Sequence, residues 1–168
     1  MVDAEENRRE DYDALVSRGI EVHLLHVRSL DGVNPAMAGL ADRVGARWVP
    51  PVLPEPVPAR MRAFVPIWRR PWMALGPPTY GASLLTRLGV TTAPGSLGPY
   101  PKVRLEDAAA RHPDVVLAPS GPYPFTKRQL PELESVAPTV LVDGKDLFWW
   151  GVRTAGALGR LATSLAMR

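Results

Sequence analysis

Five prolines fall within ten residues, at positions 50, 51, 54, 56 and 58 of VPPVLPEPVPAR, and they restrict the chain more than any other feature. Each proline fixes its φ and lacks an amide hydrogen, so neither an α-helix nor a central strand passes through this stretch. An extended, semi-rigid linker is expected over 49–62, with the main boundary of the 168-residue chain there. Residues 1–48 then form one unit and residues 63–168 another.

After the linker an α/β rhythm sets in. Apolar runs at 63–68, 114–118 (DVVLA) and 139–142 (TVLV) read as strands, and 79–88, 104–111, 126–135 and 153–166 read as helices. A Gly/Pro loop covers 94–101. Short apolar strands alternating with helices predict an α/β fold, a Rossmann-like parallel sheet flanked by helices. Before the linker, residues 3–18 predict a helix, with Asp3 as cap, Glu6 completing a capping box and Tyr12, Leu15 and Val16 as an apolar stripe. Gly19 ends it, and IEVHLLHV (20–27) predicts a strand. Helix, glycine, strand is the second half of a βαβ unit, whose first strand is expected ahead of Met1. Residues 33–46 carry a weak helical period and predict a short helix.

The aromatic residues sit beyond the strands rather than in them. VPIWRRPWMALGPPTYGASLLTRLG places Trp68 and Trp72 after the 63–68 strand, with Tyr80 opening the following helix. Tyr123 and Phe125 follow the 114–118 strand, and Phe148, Trp149 and Trp150 follow the 139–142 strand. Ligands of parallel α/β sheets bind at the carboxyl ends of strands, so the rings are expected to face a cleft that takes a large flat ligand, such as a corrin, a porphyrin or another hydrophobic chelate. Core packing is the competing reading for each ring. Arg69 and Arg70 are placed either to meet carboxylate or phosphate groups of the ligand or to lie in a solvated loop.

Other chemistries lack their residues. The chain contains no cysteine, which excludes disulfides, thiolate catalysis and Cys-ligated metals. His23 and His26 are three apart on an expected strand and so point to opposite faces, and His112 precedes a proline at a helix end, so no protein-held metal or cofactor is expected. Ser83, Ser96 and Ser120 have no nucleophile-elbow setting, and neither GxGxxG nor a P-loop lysine is present, so the chain does not read as an enzyme. The net charge of +3 is spread without a basic stripe, which argues against nucleic acid. The first residues, MVDAEENRREDYDAL, contain no apolar h-region, and no run is long enough to span a membrane, so as encoded the chain reads as cytoplasmic. Acidic residues open two helices, Glu5 and Glu6 in one and Glu106 and Asp107 in the other. They compensate helix dipoles or dock on arginines of a partner.

Four blocks together carry a resemblance: DAEENRRED before a helix, glycine and strand; VPIWRRPWMALGPPTYGASLLTRLG; YPKVRLEDAAARHPDVVLAPSGPYPF; and VDGKDLFWWGVRT. They resemble the helical-backbone metal receptors, the class III substrate-binding proteins of ABC importers that include the vitamin B12-binding protein and receptors for haem and ferric siderophores. The likeness covers 1–28 and 63–166. It implies two α/β lobes joined by one long helix with a ligand between them, and a metal carried inside its chelate. It also implies an extracytoplasmic location and docking of Glu5 and Glu106 on arginines of an ABC permease. Tyr100 matches a ligand-stacking position, and Asp146 and its aromatic neighbours match a ligand-facing loop.

The resemblance therefore implies capture of cobalamin or a related chelate by Trp68, Trp72, Tyr80, Tyr100, Tyr123, Phe125, Asp146, Trp149 and Trp150. The long helix would have to occupy 29–62, where an unbroken helix over 29–48 reaches only about 30 Å. The chain thus resembles a member shortened in its N-terminal lobe. A cytosolic sensor or interaction module of the same fold, and a degenerate fragment without ligand, stand as alternatives.

Overall fold

The computed structural model describes residues 1–5 and 7–166. Its first element is a strand, β1 (Val2–Asp3), followed by helix α1 (Arg9–Ser17) and strand β2 (Leu24–Leu25). β1 and β2 pair in parallel, Val2 with Leu24 and Asp3 with Leu25. The opening strand of the βαβ unit is therefore Val2–Asp3, not a segment ahead of Met1. Asp3 does not cap the helix. Its carboxylate accepts from the Glu5 amide at 2.9 Å and from the Trp150 indole at 2.9 Å, and α1 starts six residues later without a side-chain cap. The expected Glu6 half of a capping box lies outside the described residues. α1 buries none of its side chains, so the Tyr12, Leu15 and Val16 stripe has no core to face.

Helix α2 (Val33–Arg43) is the only helix between β2 and the linker; its eleven residues span about 16 Å, well short of a long connecting helix. Gly45, at φ +66, lies just beyond it. From there to Arg60 the backbone is extended, as the prolines require, yet it is not free. The Arg87 guanidinium donates to the Pro54 carbonyl at 2.6 Å, the Val57 amide to the Arg87 carbonyl at 3.0 Å, and the Arg60 amide to the Gly89 carbonyl at 2.9 Å. Gly89 is needed there: its φ is +76, and a Cβ would meet the Pro58 carbonyl at 2.6 Å.

The apolar run expected as one strand over 63–68 divides. β3 (Met61–Phe64) enters a four-stranded sheet, whereas β4 (Pro66–Trp68) leaves it to pair antiparallel with β5 (Met73–Ala74). Pro66 has no amide to donate, so the ladder on a strand with neighbours on both sides stops before it. Helix α3 (Tyr80–Arg87) follows, capped by the Thr79 hydroxyl, which accepts from the Ala82 amide. No strand is expected between α3 and the 94–101 loop, but β6 (Val90–Thr92) forms there. Its three residues are too few to show a period.

Helix α4 (Leu105–Ala109) stops short of the expected 111, and His112 then takes a left-handed backbone with φ 50. After β7 (Val115–Pro119), the expected 126–135 helix is a 3-10 turn at Lys127–Gln129 leading into α5 (Leu130–Leu133), where Pro131 occupies the first turn. β8 (Thr139–Val142), α6 (Gly144–Phe148) and α7 (Thr154–Ala166) complete the described chain.

The sheet order is β6-β3-β7-β8, all parallel. β7 is buried along its whole length. Strand alternation sends Val115 and Leu117 into a core with Leu84, Leu85, Leu147, Leu158 and Leu161, and Val116 and Ala118 into a second core with Phe64, Phe125 and Leu133. α7 is held against α6 by more than apolar contact. Asp146 of α6, 2% exposed, accepts from the Arg160 guanidinium at 2.6 and 2.8 Å and from Arg153 at 3.0 Å. Hydrogen bonding to Arg160 holds the Asp146 carboxyl below the usual carboxylate range, against the opposing effect of burial.

A carboxyl whose pKa is depressed by folding stabilises the protein above the ordinary carboxylate range, and the benefit is lost as pH falls below that range toward the folded value. Asp146→Asn is expected to cost about 1–3 kcal/mol at neutral pH and to flatten the acid side of the stability curve. Thermal unfolding of both proteins at neutral and acid pH reads this out; parallel curves would rule the clamp out.

Candidate functional site

The site is built where β7 and β8 end. The Ser120 hydroxyl, just past β7, accepts from the Gly144 amide at the start of α6 at 3.0 Å. The two loops then touch backbone to backbone: a Cβ on Gly144 would meet Gly121 O at 2.5 Å and Gly121 N at 2.6 Å. A groove of about 460 Å³ opens over this junction, within the range of about 300–1,000 Å³ found for small-molecule sites. Ile67, Ser120, Gly121, Pro122 and Gly144 line one part of it, and Lys145, Phe148, Trp149, Tyr100 and Glu5 the rest.

The groove combines an apolar ring surface with two charges. Trp149 is 56% exposed, and the Lys145 ammonium lies 5.0 Å from its ring centroid. Glu5 belongs to the N-terminal βαβ unit and reaches across to the C-terminal unit. Its carboxylate accepts from the Tyr100 hydroxyl at 2.9 Å, lies 2.9 Å from His26 Nε2 and 3.5 Å from Arg28 Nε. Glu5 thus stands in the groove wall. Glu106, the other acid expected to dock, is exposed at the start of α4 and pairs with Arg104 at 3.2 Å.

A pocket of about 40 Å³ adjoins the groove through Glu5, Tyr100 and Phe148 and continues to Asp3, Tyr80 and Trp150, room for about one water. Tyr80 is buried, with its hydroxyl 3.0 Å from Thr154 Oγ1, and burial pushes its phenol up. Trp150 donates its indole N–H to Asp3, which fastens the N-terminal strand to the C-terminal unit.

Of the nine residues expected to bind ligand, the groove brings together Tyr100 and Trp149, with Tyr80 and Trp150 in the pocket beside it. Trp68, Trp72, Tyr123 and Phe125 form a ring cluster of their own. Trp72 stacks on Phe125 at 6.0 Å, Tyr123 lies 4.7 Å from Phe125, and Trp68 meets Tyr123 edge-on at 5.9 Å. None of these four lines the groove. Phe125 is buried in the second core, and only Trp68 exposes much of its ring. The hairpin explains this, because β4 turns back on β5 instead of ending at the sheet edge. Asp146 faces its two arginines. Lys145, Ser120 and Pro122 line the groove without being aromatic, and the sequence signal for them is position, since each stands one to three residues past a strand end.

Among the described residues no three His, Cys, Asp or Glu side chains come together as a metal site, and no helix is long and apolar enough to cross a membrane. Because Gly144 leaves no space for a side chain, Gly144→Val is expected to destabilise by about 1–3 kcal/mol and to distort the groove floor. Unfolding in denaturant measures the first effect, and an unchanged midpoint would mean the loops separate freely.

No family model matches the sequence, and no curated protein matches it. Solved structures do match. The periplasmic vitamin B12 binding protein BtuF of Vibrio cholerae superposes with a TM-score of 0.70 at 13% identity, over 99% of this chain and 72% of that one. A periplasmic heme binding protein from Pseudomonas aeruginosa gives 0.73 at 16% identity, over 96% and 69%. The periplasmic heme-binding protein RhuT from Roseiflexus sp. RS-1, in apo form, gives 0.70 at 16%, over 96% and 73%. With a parallel sheet flanked by helices and superposition over nearly its whole length, the chain has the fold of the class III periplasmic binding proteins.

Proposed function

We propose that the chain is a solute-binding protein that captures a flat metal chelate, cobalamin or a related tetrapyrrole or siderophore, for an ABC importer. The observation that carries this reading is the groove at the carboxyl ends of β7 and β8, with an exposed tryptophan on its wall. Trp149, Phe148, Tyr100 and Ile67 supply apolar and aromatic surface for the face of the ligand. Lys145 supplies a cation for its carboxylate or amide substituents, and the Ser120–Gly121–Pro122 turn supplies backbone polar groups. A chelate holds its metal internally, so the protein needs surface and hydrogen bonds rather than metal ligands.

The solved structures of similar fold support the reading by their own ligands, vitamin B12 in one name and heme in others. They are periplasmic proteins, and an extracytoplasmic location is proposed for this chain on that ground. Docking on a permease is assigned to Glu106, which stands exposed, rather than to Glu5, whose carboxylate is occupied in the groove.

Adding cobalamin or haemin to the folded chain at micromolar concentration is expected to quench its tryptophan emission. Trp149→Ala is expected to weaken binding about tenfold, or 1.4 kcal/mol, and Tyr100→Phe to weaken it less. Trp72→Ala, altering a ring outside the groove, is expected to leave affinity within about twofold of the parent, since it removes no surface the ligand would touch. A folded sample that shows no quenching with tetrapyrroles or ferric siderophores would refute the binding role.

A further inference from the structure

The Arg69–Arg70 pair is not used by the groove. It lines a separate cavity of about 280 Å³, together with Tyr123, Arg128, Gln129 and Glu132, and shares no residue with the groove. Three of its six lining residues are therefore arginines, supplied by two elements, the β4–β5 turn and the 3-10 turn at Lys127–Gln129. Arg69 is neutralised by Glu132, with nitrogen–oxygen distances of 2.9 and 3.0 Å, and lies over the Trp72 ring at 5.8 Å. Among the described residues neither the Arg70 nor the Arg128 guanidinium is in an ion pair. Two arginines without an ion-pair partner thus line one small polar cavity.

Arg70 is also held at φ 70, a left-handed conformation that is unfavourable for a residue bearing a Cβ. Backbone kept in such a region marks a place where side-chain position matters more than local comfort. Tyr123 lines the same cavity, and its hydroxyl makes no hydrogen bond among the described residues.

We propose that this cavity is a second binding site, for a phosphate dianion held by Arg70 and Arg128. Guanidinium forks match tetrahedral oxyanions in two-point contact. The two uncompensated charges match a phosphate group, which carries roughly −1.5 to −2 at neutral pH, better than a single carboxylate. The concave, polar lining suits a small group rather than an extended acidic strand. The phosphate is either free or the head of a phospholipid.

The test titrates inorganic phosphate into the whole chain by calorimetry, with chloride holding ionic strength constant. In parallel, co-sedimentation is measured with phosphatidylcholine vesicles doped with phosphatidic acid. Saturable binding of phosphate assigns the free ion, and binding of the doped vesicles alone assigns the headgroup. Either must fall about tenfold in Arg128→Gln and in Arg70→Gly, which suits the left-handed backbone and so keeps the fold. Trp149→Ala must leave it unchanged. Absence of both binding events, equal binding by the arginine variants, or loss in Trp149→Ala would overturn the assignment.

Discussion

The protein is organised by a single strand that water never reaches. β7 is buried from Val115 to Pro119, and its neighbours β3 and β8 pair with it in parallel, so its alternating side chains serve two cores at once. Each fully buried Val or Leu contributes about 1.5–3 kcal/mol, and helices must cover both faces for that to be realised. Once β7 is fixed, the position where it stops is fixed too. The turn after it meets the start of α6 at Gly121 and Gly144, and that meeting is the floor of the groove.

A different kind of contact joins the N-terminal βαβ unit to this sheet. α1 buries nothing, and directed polar bonds help to attach the unit: Glu5 to Tyr100, the Trp150 indole to Asp3, and the Leu30 amide to the Ser83 hydroxyl at 2.7 Å. Val27, Leu30 and Val33 add an apolar foothold in the first core. Such bonds each contribute modestly, about 0.5–1.5 kcal/mol, but they specify geometry. Two of the residues that make them, Glu5 and Tyr100, also line the groove, so the attachment of the N-terminal unit and the shape of the groove are one problem.

Two cavities at the C-terminal side of the sheet differ in their lining. Loops after β7 and β8 line a wide groove with an exposed indole. The β4–β5 hairpin and the turn before α5 offer guanidinium groups around a small polar space, which suits an anion. The rings of Trp68, Trp72, Tyr123 and Phe125 pack on one another, with Phe125 buried in the second core. Aromatic residues beyond strand ends thus lie in two settings here, and only neighbour contacts tell them apart.

Much of the architecture was legible in the residues. The prolines required extended chain ahead of β3; β7 and β8 were visible as apolar runs, and α3 and α7 as helical patterns. The absence of cysteine closed off whole classes of chemistry. These features depend on local backbone sterics and on periodicity, which a linear string carries. Tertiary structure decided the rest. Val90–Thr92 became a strand only because β3 lay beside it, and Val2–Asp3 only because Leu24–Leu25 did. Pro66 diverted one apolar run into a hairpin, which took Trp68 and Trp72 away from the groove. Asp146 turned to two arginines seven and fourteen residues onward, and Glu5 to a tyrosine ninety-five residues away. Partners so distant in sequence leave no local periodicity to read, because which side chains meet depends on how the covered faces of the sheet bring them together.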